Sequence, residues 1–498
     1  MPIERLIVKN FRSIKELDLT MGDINALIGA NNSGKSNIMR ALNIVLGEKW
    51  PSQPFGDEDF HRFNDTDPII IDIYFSTPIQ NRPAYVHSTI WGFRLSYDGT
   101  HSELVTLDSN GSVVTYGQQN KPVFVSKDMR EEVALLYLGL DRQSSQVIRS
   151  SKWTLYGKLL QHVEKNIDSV KRDAFTEAVT ESYRQNLQPG LQNMENVLKD
   201  HVRSQTGLDV SLKLSLFKPL EVISTLRPYL QDASVGFDYD CEDAGAGVQS
   251  ALAIAIARAY ADIVHEPFTV AIEEPELFLH PHGCRHFYNL MKELSAAGVQ
   301  VIYTTHERSF VQLSEFKSIH RVRKLNGETK VHSSILSTLT PEQCIKYASK
   351  FDDSLNEVFF SDLVVMVEGS PDKIACKIAL ERLGLELDKK NISLVEVGGG
   401  GISKIRPICE ILNLFAIPSI ALVDCDPGNP TTAKEVGRIE ATIGGDRVFE
   451  QAPNLEGILG LSHKPNKFEA MEAFPDWFET NPMPQVYVDL LAKIREIL

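Results

Sequence analysis

INALIGANNSGKSNIMRALNIVL, residues 24–46, is the stretch on which the fold turns. INALI is a short apolar run that ends in Gly29 and reads as a buried strand. GANNSGKS (Gly29–Ser36) then matches GxxxxGK[ST]. In NIMRALNIVL the apolar residues fall at helical spacing, and Gly47 is a stop signal. Strand, glycine loop and helix in this order form a phosphate cradle. Backbone N–H groups of Asn31, Asn32, Ser33 and Gly34 wrap the phosphates, Lys35 reaches the β/γ-phosphates, and Ser36 holds Mg²⁺. ATP is the expected nucleotide.

The chain around this loop has 498 residues. At roughly 100–200 residues per domain that is two to four domains. Hydrophobic residues make up 43% and charged residues 23%, as in an ordinary globular protein. The opening MPIERLIVKNFRSI lacks the apolar region of a signal peptide, and no long apolar run suggests a membrane span. Six scattered cysteines without CxxC spacing argue against a disulfide framework or a structural zinc. A cytoplasmic protein with reduced thiols and no membrane partner is expected. The formal net charge of -15 excludes a generic polyanion binder. Contact with nucleic acid then requires a local basic patch or bound metal ions.

Upstream, LIVKNFRSIKELDLT reads as strands. Downstream, IIIDIYF (69–75), FRLSY (93–97) and ALLYLGLD (134–141) also read as strands, with Asn110-Gly111 as a hairpin signal. From about 150 to 207 the texture becomes amphipathic helix. Strand texture returns at VSLKLSLF, and a small-residue helix follows AGAG. Next come the strand FTVAIEE, a helix from about 283, the strand VQVIYTTH and a hairpin at Asn326-Gly327. Helical residues from about 341 lead to a second α/β series: DLVVMVEG, a helix (372–384), ISLVEV, a helix (403–413) and SIALVDCD. Strands alternating with helices predict mostly parallel sheets.

Three segments extend the nucleotide site. TVAIEEPE (269–276) is an apolar strand ending in paired acids, Glu273 for Mg²⁺ and Glu274 as the base that polarises water. YTTH (303–306) ends in His306, suited to sensing the γ-phosphate; a capping histidine is the alternative. AGAGVQS (244–250) opens a helix with Gly245 and Gly247, and Gln249 follows. It offers N–H groups to a phosphate, or is a helix-packing turn.

Together, in this order, the motifs resemble the ATPase heads of the ABC superfamily. LIVKNFRSI, GANNSGKS, AGAGVQS, IEEPELFLHP and YTTH resemble more closely the RecF/SMC-like heads of OLD (overcoming lysogenization defect) proteins. The resemblance implies a head at 1–149 and 208–340, interrupted by a helical insertion at 150–207 that mediates dimerisation. The signature loop would then contact ATP bound to the opposite protomer. An ordinary helical subdomain is the alternative for the insertion. The usual Walker B Asp is Glu273 here, and no Q-loop glutamine stands out.

After a linker at 341–360, DLVVMVEGSPDK (362–373) ends a strand at Glu368, and SIALVDCDPGN (419–429) ends one at Asp424 and Asp426. In a parallel sheet the strand C-termini share one edge, so these acids can converge. Residues two apart on extended backbone face one way. Clustered carboxylates need neutralising, which favours Mg²⁺ or Mn²⁺. These acids resemble those of TOPRIM nucleases, and that resemblance implies two such cations about 4 Å apart that activate water and stabilise the leaving 3′-oxygen of a phosphodiester. VGGGGISK (397–404), between strand and helix, approaches metal or substrate phosphate, or is a tight turn.

The E…DxD pattern resembles a Rossmann-like TOPRIM domain over 361–498. That resemblance adds Asp372 and Glu456 as further metal-binding acids and a lysine, Lys464 or Lys467, near the C-terminus. It implies an ATP-controlled, metal-dependent DNA endonuclease acting as a homodimer or higher oligomer. It also implies a role in bacterial anti-phage defence, beside a helicase or a retron in some relatives. The alternative is a RecF-like DNA-binding ATPase with a non-catalytic TOPRIM fold. A topoisomerase would need a tyrosine cleavage domain, and a primase a zinc module; neither is identifiable.

Overall fold

A computed structural model describes the chain apart from residues 48, 52–54, 134, 141–153, 207–225, 233–235, 265–266, 278, 312–316, 336–354, 399–400, 426–429 and 464. The segment VSLKLSLF, residues 341–354 of the helical stretch expected from about 341, Asp426, Lys464 and Cys344 lie outside the described residues, and Leu355–Phe360 form a short 3-10 helix. Cys241, Cys284, Cys376 and Cys409 are free thiols.

The chain opens with β1 (Ile3–Phe11), β2 (Ile14–Thr20), β3 (Ile24–Ile28) and α1 (Lys35–Leu46). Then come β4 (Ile69–Phe75), β5 (Gly92–Tyr97), β6 (Ser102–Leu107), the short ribbon β7 (Thr115–Tyr116) and β8 (Lys121–Pro122), α2 (Lys127–Glu132) and β9 (Leu135–Leu138). The strands β2-β1-β4-β5-β6 form a wholly antiparallel sheet, which stands beside the two α/β sheets where the expected parallel strands lie. Buried and more exposed residues alternate over Leu6–Asn10 of β1 and Leu17–Leu19 of β2, and short connections join β1 to β2 and β5 to β6, as hairpin pairing requires.

The contacts divide the chain into two compact units. The second, 138–267 with 296–299, contains α3 (Leu155–Lys165), α4 (Ser169–Asn186), α5 (Gln188–Thr206), the hairpin β10 (Tyr229–Asp232) and β11 (Phe237–Asp240), and α6 (Ala246–Val264). Thr154 and Asp168 cap α3 and α4 through their side-chain oxygens. Helix α6 is long and apolar enough to cross a membrane by length and composition alone. It buries Ala253, Ile254, Ala257, Tyr260 and Ala261 and carries an Arg258–Asp262 ion pair at 3.1 Å, the pattern of a packed helix.

The first unit resumes with β12 (Thr269–Glu273), α7 (Pro281–Ala296), β13 (Gln300–Thr305), β14 (Ile319–Leu325) and β15 (Glu328–Ser333). They build a sheet in the order β15-β14-β3-β13-β12-β9, in which β14, β3, β13 and β12 run parallel. Helix α1 lies in the apolar cluster shared by this sheet and the antiparallel one. It buries Ile38, Met39, Ala41, Leu42, Val45 and Leu46. Each such side chain contributes about 1.5–3 kcal/mol if it is large, offset by the entropy of ordering. Gln300 fastens the two sheets. Its amide donates to the carbonyls of Ile3 (2.7 Å) and Gly22 (2.9 Å), and its oxygen accepts from the Ile3 N–H (2.8 Å).

The rest of the first unit is a second α/β layer: β16 (Leu363–Val367), α8 (Ser370–Arg382), β17 (Ile392–Glu396), α9 (Ile405–Leu414), β18 (Ser419–Asp424), α10 (Pro430–Ile443), β19 (Val448–Gln451), α11 (Leu455–Leu459), α12 (Lys467–Thr480) and α13 (Gln485–Ile497). Its four strands are all parallel, in the order β17-β16-β18-β19. Every residue of β16 and β18 is buried, which explains their unbroken apolar runs. Leu363, Val365 and Val367 of β16 join a core with Ala375 and Ala379 of α8, Phe474 of α12 and Leu490 of α13.

Candidate active sites

Strands β3, β12 and β13 run parallel in close register, Glu273 opposite Thr304 and Ile28 opposite Thr305. Their C-terminal ends therefore share one edge, where Gly29–Ser36, Glu273, Glu274 and His306 meet. Gly29 (φ 149°) and Gly34 (φ 111°) leave no room for a side chain: a Cβ at Gly29 would lie 2.1 Å from the Val322 carbonyl oxygen. Asn32 also takes a left-handed conformation (φ 61°). Asn31 and Asn32 are exposed, while Ser33 and Lys35 are buried.

The Lys35 ammonium donates to the carbonyls of Gly29 (2.9 Å) and Ala30 (3.0 Å), so it lies folded along its own loop. Burial pushes it down to about 8, against the upward pull of Glu274, Glu276 and Glu273. The Ser36 hydroxyl donates to Glu273 Oε2 at 3.0 Å, and the Tyr137 hydroxyl donates to the other oxygen, Oε1. A hydroxyl and a carboxylate side by side, below a loop rich in N–H groups, fit a magnesium-bound triphosphate.

Glu274 sits at φ 44°, a strained conformation for a residue other than glycine. Its N–H donates to Thr304 at both Oγ1 and the carbonyl, each 3.0 Å away. Its carboxylate lies 3.6 Å from His306 Nε2. Burial, then the Lys35 charge, lowers the His306 imidazole below its ordinary value, and Glu274 opposes. Glu276 accepts the His306 N–H at 2.7 Å, and burial raises its carboxyl.

In the second unit, Gly245 precedes α6 with open space where a Cβ would stand, and Gly247 lies in its first turn. The Gln249 amide turns inward. It donates to the carbonyls of Glu242 and Ala244, both at 2.9 Å, and reaches that of Cys241 at 3.3 Å, closing the turn before the helix. Its donors are thus engaged within its own unit.

In the parallel α/β layer, β16 ends beside Glu368 and β18 ends at Asp424. The Asp424 N–H donates to Glu368 Oε1 at 3.0 Å, so the two acids stand on one edge. Asp424 Oδ1 accepts the Leu455 N–H at 3.0 Å, which draws in the start of α11 and with it Glu456. Glu456 Oε2 is buried without a hydrogen-bond partner, an acceptor that suits a cation. Asp372, in the first turn of α8, is fully buried. One oxygen accepts from Gln451 Nε2 at 2.9 Å, and the other faces Gly369. Gln451 accepts in turn from the Tyr487 hydroxyl (3.1 Å), whose burial raises it well above its usual range.

In VGGGGISK the Gly401 N–H donates to the Gly398 carbonyl at 3.0 Å, and a Cβ on Gly401 would stand 3.8 Å from Glu368 Oε2. Lys467 is exposed at the start of α12. Among the described residues no three His, Cys, Asp or Glu side chains close into a ready cage. The carboxylate set nonetheless fits a hard cation with oxygen ligands.

Tyr137, Gln451 and Tyr487 also belong to these sites, without a sequence motif to mark them. Each acts by touching an acid distant in sequence, so no local spacing announces it.

A family model described as "AAA ATPase domain" matches residues 1–133 and 132–311. One described as "Overcoming lysogenization defect protein-like, TOPRIM domain" matches 359–426. The OLD nuclease of Thermus scotoductus is 30% identical over 501 residues, covering 92% of this chain and 92% of that protein. The Old nuclease of Escherichia phage P2 is 24% identical, covering 84% of this chain and 76% of the relative. Endonuclease GajA of Bacillus cereus is 19% identical, covering 80% and 71%. Two catalytic domains are thus present in one hydrolase, an ATPase and a TOPRIM nuclease, and the chain belongs to the OLD nuclease family.

Proposed function

We propose that the protein is an ATP-controlled, metal-dependent DNA endonuclease that acts as a homodimer. The observation that carries this reading is the pairing of Glu368 with the Asp424 N–H at the edge of a parallel sheet, in the same unit as a complete phosphate loop. In the ATPase site, Lys35 exchanges its carbonyl partners for the β/γ-phosphates, and Ser36 and Glu273 hold Mg²⁺. Glu274, anchored by Thr304, takes the proton of the attacking water, and His306 reads the γ-phosphate.

In the nuclease site Glu368, Asp372, Asp424, Asp426 and Glu456 hold Mg²⁺ or Mn²⁺. Divalent cations there supply a lowered water pKa and neutralise the charge of a cleaved phosphodiester. Gln451 and Tyr487 orient Asp372, and Leu455 orients Asp424. Bound cations also let an acidic chain approach DNA.

The chain then divides into an ATPase head (1–149 and 208–340), a dimerising insertion (150–207), a linker (341–360) and a nuclease domain (361–498). Large exposed apolar residues on the insertion support dimerisation, among them Val170 (72% exposed), Leu187 (63%) and Met194 (50%). In the dimer Gly245 and Gly247 would complete the partner's ATP site. Anti-phage defence is the role that the family resemblance favours.

The test is cleavage of plasmid DNA with Mg²⁺ or Mn²⁺, with and without ATP, beside an Asp424→Ala, Asp426→Ala variant. Metal-dependent nicking by the wild type and none by the variant supports the reading. No cleavage under any condition would sink it.

A further inference from the structure

Strand β14 belongs to the ATPase sheet, yet two of its side chains leave that sheet. Arg321 and Arg323, two apart on a strand, project to one side. Arg321 is only 2% exposed. Its guanidinium donates to the carbonyls of Phe415 (3.2 Å), Ala416 (3.3 Å) and Ser361, and lies 3.9 Å from Asp362. Arg323 donates to the Ala416 carbonyl (3.3 Å) and to Asp362 Oδ1 (3.1 Å). The other Asp362 oxygen accepts from Asn391 at 3.0 Å.

The places these arginines grip are specific. Ser361 and Asp362 lead into β16, and Phe415 and Ala416 lead towards β18. Those two strands end in Glu368 and Asp424. Ala416 sits at φ 50°, a conformation that a non-glycine residue keeps only when its surroundings impose it. Here both arginines hold its carbonyl. The other side of β14 meets the nucleotide loop: Arg321 pairs in register with Ile28, and the Val322 carbonyl stands where Gly29 has no Cβ. The first glycine of the phosphate cradle thus leans on the peptide between the two arginines.

A buried guanidinium has five N–H groups in a rigid fork, so it fixes its acceptors in angle as well as distance. An apolar contact would let the two layers slide. We propose that Arg321, assisted by Arg323, is a positioning residue through which the nucleotide state of Gly29–Ser36 sets the register of the strands that carry Glu368 and Asp424. This deepens the function proposed above and rests on its ATP control of cutting. The bond from the Asp424 N–H to Glu368 is 3.0 Å long, so a small axial shift of β18 against β16 would break it.

The test uses the full-length protein with Arg321→Lys and Arg323→Gln, the second, 22% exposed, keeping the test open if the first does not fold. ATP hydrolysis, DNA cleavage with ATP, ADP, a non-hydrolysable analogue or no nucleotide, and thermal melting are measured on each. ATP hydrolysis is expected within about threefold of wild type, while the ratio of cleavage with and without nucleotide falls towards one. Hydrogen exchange at 361–368 and 415–424 is followed alongside, because it needs no cleavage. The analogue is expected to change exchange there in the wild type and not in the variants. The proposal is overturned if folded variants keep the wild-type cleavage ratio and exchange response, or if hydrolysis and cleavage fall in parallel. A wild type that does not cleave sinks the nuclease reading, and the exchange comparison still decides the coupling.

Discussion

Tyr137 and His320 show how single residues serve the ATPase layer. Tyr137 grips the oxygen of Glu273 that Ser36 leaves open. Hydrogen bonds to charged groups contribute about 1.5–3 kcal/mol, so Tyr137→Phe is expected to lower ATP hydrolysis roughly tenfold at limiting Mg²⁺. A magnesium titration of the hydrolysis rate checks this, with saturating Mg²⁺ restoring part of the loss. His320 is buried in β14, its Nε2 at 3.1 Å from the Asn25 oxygen and its Nδ1 without a partner. Burial lowers its pKa to about 4 from the ordinary 6.5. The unfolded chain binds the extra proton between those values, so the native state is fully stable above pH 6.5 and loses stability as pH falls to 4. The loss is on the order of 3 kcal/mol, and His320→Gln is expected to flatten it in denaturant titrations at pH 7 and pH 4.5.

At the scale of elements, the glycine loop is the tightest point. A methyl group at Gly29 would meet backbone, the Val322 carbonyl, which cannot rotate away. Gly29→Ala is therefore expected to lower the melting temperature by several degrees and to abolish ATP binding, measured by calorimetry. This loop, the acids after β12 and β16, and the strand of His306 were legible in the sequence, because motif spacing and apolar runs are local signals. The parallel layer around Asp424 was legible for the same reason. The antiparallel sheet was not, since alternating strands announce themselves but not their partners. The Arg321 grip on Phe415, Ala416 and Ser361 could not be read either. It joins residues about ninety and forty positions away through backbone carbonyls, which have no letter in the sequence. The inward turn of Gln249 was hidden too, as its acceptors are also main-chain carbonyls.

For the whole molecule, the insertion and the two catalytic layers set the expected behaviour. If exposed apolar residues of the insertion mediate pairing, Leu187→Glu should weaken the dimer at least tenfold, as read by sedimentation equilibrium, while the melting temperature of the chain stays within a few degrees. In the function proposed above, one chain binds ATP at Gly29–Ser36 and cuts DNA at Glu368 and Asp424. The most direct measurement assays ATP hydrolysis and plasmid cleavage in parallel on the wild type, Lys35→Ala and Asp424→Ala. Asp424→Ala is expected to hydrolyse ATP normally and to lose cleavage by at least about a hundredfold. Lys35→Ala is expected to lose hydrolysis, and its cleavage should no longer respond to ATP. Wild-type cleavage by Asp424→Ala, or an unchanged ATP response in Lys35→Ala, would contradict the claim.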